Sequence, residues 1–323
     1  MTQAPLGAIE VLERVEPGPH AITIGNFDGV HRGHQYLIQR VIDDARSRNL
    51  RSLVVTFEPH PSAVLRPDLP FQRLAAPARK LELIRAMGVD DVAVIPFDQD
   101  FAALDPDAFL GLLLETVRPA AVFVGSGFRF GRGRSGDGAT IASFGDLHGF
   151  TTTIIERLQD GDVTISSSSI REALAHGNIA RATASLGRRY RLTGTVEHGA
   201  ARGRELGFPT ANLLPPADIR VPADGIYAGY ARVSDRELGA RAAMIYVGSS
   251  PTFANGERQV EVNILEFSGD LYTLDLEIEF VAWVRGDRAF ESAEALAAQM
   301  HDDEATTRAI LAGSQPEDSG PLA

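Results

Sequence analysis

Ten residues near the start of the chain, Gly25-Asn26-Phe27-Asp28-Gly29-Val30-His31-Arg32-Gly33-His34, combine types and spacing that could handle a phosphoryl group. His31 and His34 stand three apart where a helical pattern begins, so both imidazoles can face one point. Ring N–H groups placed there could donate hydrogen bonds to a phosphoryl group as it gains charge. Gly25, Gly29 and Gly33 allow positive φ or a close approach of backbone to ligand. The string is neither a Walker A loop nor a GxGxxG fingerprint, and two histidines in a polar turn can also be merely solvated. Its flanks supply the support. Residues 21–24 read as a buried strand, and Leu37, Ile38, Val41, Ile42 and Ala45 recur at helical spacing. Strand, glycine turn and helix together aim free N–H groups and the positive helix end at whatever lies above the strand.

A second set lies far along the chain. After the Gly/Arg run that holds Gly203, Arg204 and Gly207 comes Phe208-Pro209-Thr210-Ala211-Asn212. On an extended segment Thr210 and Asn212 face the same side. A hydroxyl and an amide carbonyl are hard oxygen ligands, suited to a Mg²⁺ that takes its other ligands from nucleotide phosphates. The same pair can form an ST or Asx turn. Further on, 260–264 alternates, with Glu261 and Asn263 on one face and three aliphatic side chains on the other. Glu261 is either a solvent-facing carboxylate or a working one.

Three shorter features stand at the ends of apolar runs. Glu58-Pro59-His60-Pro61 closes the run 52–57 with a rigid turn, where open α/β sheets bind ligands. There His60 serves either structure or function. Residues 125–136 hold five glycines and three arginines, Arg129, Arg132 and Arg134. They form either a solvated loop or a basic flap over phosphates. Ser166-Ser167-Ser168-Ser169-Ile170-Arg171 opens a helix; one serine must cap it, and the row also offers donors to an anion.

The elements follow two patterns. Through 186, apolar runs at 52–57, 92–97, 121–124 and 151–158 alternate with helices, which predicts a doubly wound parallel sheet. From 187, short β-branched and aromatic runs at 190–196, 226–233, 242–247, 259–267 and 271–283 predict an all-β sandwich or barrel. Helices over 293–300 and 304–311 and a frayed tail at 314–323 close the chain. The expected domains are therefore 1–186, 187–313 and the tail. With 323 residues, 44% hydrophobic and 23% charged, the chain has ample core. The absence of cysteine removes disulfides and thiolate metal sites. A net charge of −12 argues against nucleic acid or an anionic membrane as partner. No apolar stretch or leader pattern points to a membrane, so the cytoplasm is the expected location, and no obligate protein partner is evident.

The string 25–34 resembles the GxFDGxHxGH signature of bacterial bifunctional riboflavin kinase/FAD synthetases, and Gly-Phe-Pro-Thr-Ala-Asn at 207–212 resembles their kinase motif. With the Phe-x-Phe-Gly string at 128–131 and the serine–Ile-Arg string, the likeness runs over residues 20–310 in family order. It implies a Rossmann-like nucleotidyltransferase domain followed by a riboflavin kinase-like barrel. ATP, riboflavin and FMN/FAD are then the ligands, with Mg²⁺ accompanying ATP. The resemblance assigns His31 and His34, with Gly25, Phe27, Asp28, Gly29, Arg129, Ser167, Ser168 and Arg171, to ATP phosphates in adenylyl transfer. His60 and Pro61 fall near the flavin. In the barrel it assigns Gly203, Arg204, Gly207, Thr210 and Asn212 to Mg-ATP and Glu261 to general-base work. Four positions depart from the family pattern: Gly127 for Asp or Asn, Ser168 for Thr, Asn263 for an aromatic or His, and Glu266 for Asp. A kinase with a degenerate second site, or a non-catalytic flavin- or nucleotide-binding regulator, are the alternatives.

Overall fold

Continuous apolar runs in the first half of the chain pair as five parallel strands, because a strand covered on both faces by helices has no polar side to show. The computed structural model describes residues 5–198, 207–233, 239–249 and 258–317. The strands are β1 (His20–Ile24), β2 (Arg51–Glu58), β3 (Asp91–Pro96), β4 (Pro119–Gly125) and β5 (Thr151–Ile155), in spatial order β3-β2-β1-β4-β5. Every pairing among them is parallel. Helices α1 (Leu6–Glu13) and α6 (Pro106–Val117) pack on one face, around Leu12, Ile22, Val55 and Phe109. Helices α2 (Arg32–Ser47) and α4 (Pro77–Ala86) pack on the other, around Ile38, Val41, Leu83 and Val54. The strand order reverses between β1 and β4, so the loop after β1 opens at the switch point, where such sheets take ligands.

Short helices α3 (Pro61–Leu65) and α5 (Gln99–Ala102), a helix α7 (Gly138–His148) and a small hairpin of β6 (Gln159–Asp160) and β7 (Val163–Thr164) complete this unit. The expected lead-in at 1–20 contains α1, whose Ala8 and Leu12 are buried in the sheet's core. The strand expected over 151–158 stops at Ile155, and the chain turns into the hairpin.

The second half closes into a barrel of six antiparallel strands, β8 (Tyr190–Glu197), β9 (Ala211–Leu214), β10 (Gly225–Val233), β11 (Arg241–Ser249), β12 (Arg258–Ile264) and β13 (Asp275–Gly286), in the order β10-β11-β12-β9-β8-β13. Helices α8 (Ser167–Ala175) and α9 (Ile179–Leu186) belong to this unit, as does the four-residue segment Gln72–Ala75. Arg73 N donates to Asp218 O at 2.7 Å and Arg220 N to Arg73 O at 2.9 Å, stitching that segment to the barrel. The compact units thus divide at Ser166/Ser167, earlier than the change in sequence character near 186. Periodicity reports whether a segment is helical; it does not report what the helix packs against.

The two expected C-terminal helices are one, α10 (Ala293–Leu311). Its middle holds because the buried Asp303 accepts from Arg285 of β13, at 2.8 Å to Oδ1 and 2.7 Å to Oδ2, so the acidic run does not break it. Of the tail expected to fray, residues 314–317 are tied down: Tyr230 Oη donates to Ser314 O, and the Glu317 carboxylate accepts from Arg189 N at 3.0 Å. Residues 318–323 lie outside the described chain.

Candidate active sites

The loop after β1 is built by backbone rules before any side chain matters. Gly25 N donates to Val55 O, and a Cβ at Gly25 would stand 3.0 Å from the Phe27 ring. Phe27 (φ 50°), Gly29 (φ 75°) and Val30 (φ 38°) all take the left-handed region, and Val30 N donates to Phe27 O at 3.0 Å. For a β-branched residue that conformation costs on the order of 1–3 kcal/mol. Burial of Phe27 and Val30 under α2 and the sheet offsets it, since both are at most 1% exposed.

His31 is the N-cap of α2. Its Nδ1 accepts from His34 N at 3.3 Å, and Gln35 Nε2 anchors Val30 O at 2.8 Å. A neutral imidazole that accepts at Nδ1 carries its proton on Nε2, so His31 retains one ring donor. The two rings stack with centroids 3.6 Å apart and 17° between planes. Gly33 makes this stack possible, since a Cβ there would lie 3.2 Å from His31 Cε1 and Nδ1. The edge of Phe27 closes on His34 at 5.2 Å. Burial, and secondarily the charge that His31 would carry, hold the His34 imidazole well below its ordinary protonation range. His34 Nδ1 is buried and has no hydrogen-bond partner among the described residues. A buried, unsatisfied ring nitrogen at a helix N-terminus suits an anion with oxygens to offer.

A cavity of about 500 Å³ opens in the same unit, lined by Asn26 of this loop and by Phe57, Phe97, Phe101, Phe109, Phe128 and Phe130. These rings come from five different stretches of the chain and leave an apolar slot with Arg66, Arg129 and Arg134 at its lining. The slot suits a planar aromatic ligand carrying an anionic end. The basic segment is ordered: Phe130 and Gly136 pair their backbones, and Arg132 binds Asp105 at 2.7 Å. Arg129 donates to Phe128 O and lies 3.8 Å from Asp137. At Gly127 a Cβ would sit 2.0 Å from Arg157 Nη2, so a guanidinium fills the space a larger side chain would need.

The other expected residues divide. Asp28 is buried in the loop, and Pro61 lines the cavity. His60 does not line it: His60 Nδ1 caps α3 by accepting from Ser62 N, and its ring stacks on Phe71 at 4.1 Å. Ser167 and Ser168 form the first turn of α8 in the barrel unit, and Arg171 Nε donates to Gln72 O at 2.6 Å.

In the barrel, strand register assembles the second site. Glu261 of β12 stands opposite Asn212 of β9 on one side and Tyr246 of β11 on the other. Thr210 Oγ1 donates to Glu261 Oε2 at 3.1 Å. Gln259, two residues before Glu261, donates from Nε2 to Glu261 Oε1 at 2.7 Å and to Asn212 Oδ1 at 2.8 Å. The expected trio is therefore brought together, with Gln259 as an addition that no motif announced. Burial, and then Asp287 as acceptor and charge, push the Tyr246 phenol up to about 12. Asn263 Nδ2 donates to Pro209 O at 2.8 Å and pins the approach to Thr210, while Glu266 is spent on Arg308 at 2.8 Å. Beside Thr210 a cavity of about 630 Å³ is lined by Pro209, Val262, Ile264, Leu271 and Tyr272. Gly207 has φ 85°, a conformation that favours glycine; Gly203 and Arg204 lie outside the described residues. Among the described residues no cluster of three or more His, Cys, Asp or Glu could hold a metal ion. Two neutral oxygens beside one carboxylate still match a cation that takes most of its ligands from phosphates.

Two family models match the chain: FAD synthetase over residues 13–169 and riboflavin kinase over residues 186–311. A bifunctional riboflavin kinase/FMN adenylyltransferase of Escherichia coli is 37% identical over 298 residues, covering 91% of this chain and 94% of the relative. One from Listeria monocytogenes is 35% identical over 294 residues, covering 90% and 92%. Among solved structures, a Streptococcus pneumoniae protein described as a macrolide-efflux protein superposes with a TM-score of 0.84 at 29% identity, covering 95% of this chain and 99% of that one. Among the described residues here, no helix is long and apolar enough to cross a membrane.

Proposed function

The chain belongs to the bifunctional riboflavin kinase/FMN adenylyltransferase family, and from that premise we propose which of its residues carry the two reactions. The barrel unit holds the riboflavin kinase domain and the α/β unit the FMN adenylyltransferase domain. One observation carries the kinase assignment: register sets Glu261 directly across from Asn212, with the Thr210 hydroxyl on the same carboxylate.

In the kinase, Glu261 takes the proton of the terminal ribityl hydroxyl as that oxygen attacks the γ-phosphorus of ATP. The bond to the β–γ bridging oxygen breaks, giving FMN and ADP. Thr210 Oγ1 and Asn212 Oδ1 are the oxygens that would hold Mg²⁺; when bound, it neutralises phosphate charge as the phosphoryl group transfers. Thr210 donates its only proton to Glu261, which leaves its lone pairs for the cation.

In the α/β unit, a phosphate oxygen of FMN attacks the α-phosphorus of ATP and pyrophosphate leaves. No covalent enzyme intermediate is needed. The strained loop supplies backbone N–H groups, and His31 and His34 donate to the phosphoryl oxygens as charge builds. Because His34 resists protonation, it acts as a neutral donor. The Phe-lined cavity takes the isoalloxazine ring, with Arg129 and Arg134 near its phosphate end. The assignment of Ser167, Ser168 and Arg171 to ATP phosphates rests on their motif alone, and a cytoplasmic location, where ATP serves both steps, completes the proposal.

The test is a time course of purified protein with riboflavin, ATP and Mg²⁺, the flavins being separated chromatographically. FMN rising and then converting to FAD is the expected result. FMN alone would leave the kinase standing and implicate Gly127 and Ser168. Unchanged riboflavin would sink the kinase assignment.

A further inference from the structure

Gln259 uses both hydrogens of one amide nitrogen, one on the base and one on the metal-side amide, and no part of the mechanism above calls on it. We propose that Gln259 is a positioning residue of the kinase, clamping Glu261 and Asn212 together so that Asn212 presents its carbonyl oxygen rather than its amide nitrogen. This rests on the residue roles assigned above.

The orientation follows from donor and acceptor chemistry alone. An ionised Glu261 only accepts, so the group of Gln259 that touches it must be the –NH₂. That nitrogen also touches Asn212, so the group Asn212 turns toward it must be the oxygen. The charge of Glu261 thus sets Gln259, and Gln259 sets Asn212. Without Gln259 the Asn212 amide is free to turn over and offer –NH₂, which cannot ligate a cation. The same contact restrains Glu261: Oε2 is held by Thr210 and Oε1 by Gln259, which stops the carboxylate from rotating.

The strands are suited to this clamp. Gln259 and Glu261 share a face of β12, two residues apart. Opposite Gln259 on β11 is Gly248, and a Cβ there would lie 2.0 Å from the Tyr246 hydroxyl. The phenol therefore lies along its strand over that glycine. Across the strands from Glu261 stands Tyr246, whose hydroxyl donates to Asp287 and on which the charges of Glu261 and Asp224 also act. Tyr246 stays neutral through the working range.

The experiment uses the full chain with Gln259→Met, which keeps the side chain's length and removes its donors, and Gln259→Glu. Riboflavin phosphorylation is followed against Mg²⁺, with FMN adenylylation in the same preparation as a control. For Gln259→Met we expect kcat to fall about tenfold and the Mg²⁺ needed for half-maximal rate to rise several-fold. Gln259→Glu should lose more, since two carboxylates then oppose each other. A Gln259→Met enzyme with unchanged Mg²⁺ requirement overturns the proposal, whatever its kcat or melting temperature. Glu261→Gln and Asn212→Ala are run beside it; if these retain full kinase activity, the residue roles fail rather than the clamp.

Discussion

The two sites are made by different physics. In the α/β unit, ten consecutive residues bend one backbone into a strained loop and stack two rings at a helix N-terminus. In the barrel, Thr210, Asn212, Gln259 and Glu261 meet across strands some fifty residues apart in sequence, and side-chain hydrogen bonds hold them. The first site is exacting about glycine and φ. The second is exacting about register, since a one-residue slip of β12 against β9 would send Glu261 to the other face. The difference teaches where each site is fragile: the loop to added atoms, the barrel to removed hydrogen bonds.

Removing the base is the strongest way to test that separation. Glu261→Gln should cut riboflavin phosphorylation by roughly 10²–10⁴-fold, the range for a general base, and leave FAD formation from supplied FMN intact. Next in size, His31→Ala should lower FAD formation about 10²-fold, as when one donor to developing charge is lost, with FMN formation unchanged. Either substitution abolishing both activities in a folded protein would end the picture of two independent sites. Gly33→Ala sharpens it further. Its methyl would press on the His31 ring and unseat the stack, so adenylylation should fall about tenfold while the kinase is untouched. An unaffected rate would mean that stacking is incidental.

The smallest effect concerns pH. His34 in the folded chain protonates below the usual imidazole value of about 6.5, so the unfolded chain binds the proton first as pH falls. Stability is full above about pH 6.5 and declines as pH drops from there toward the folded value. Melting curves of the wild type and His34→Gln should therefore diverge in slope below that pH, the wild type losing more. Parallel slopes would show that the stack does not resist protonation.

How much was legible follows the same division. The strand–turn–helix around His31 could be read directly, because each rule it obeys acts within a few residues. The sequence sets His60 at the carboxyl end of a strand, where its ring caps α3 and stacks on Phe71, contacts that no local pattern announces. Only Phe128 and Phe130 of the six Phe in the cavity stand out in the sequence, as part of a motif string; the other four look like ordinary core because they are single aromatics in separate apolar runs.

Sequence by itself determined the two architectures, through alternation of helix and strand before 186 and turn-punctuated strands after, and it determined the loop at 25–34. Tertiary structure alone decided that α8, α9 and 72–75 join the barrel unit, that Asp303 keeps α10 continuous by meeting Arg285, and that Gln259 touches both Asn212 and Glu261. Local backbone preference and hydrophobic period are written in neighbouring residues. Register, helix docking and side-chain pairing depend on segments that meet only once the chain has closed on itself.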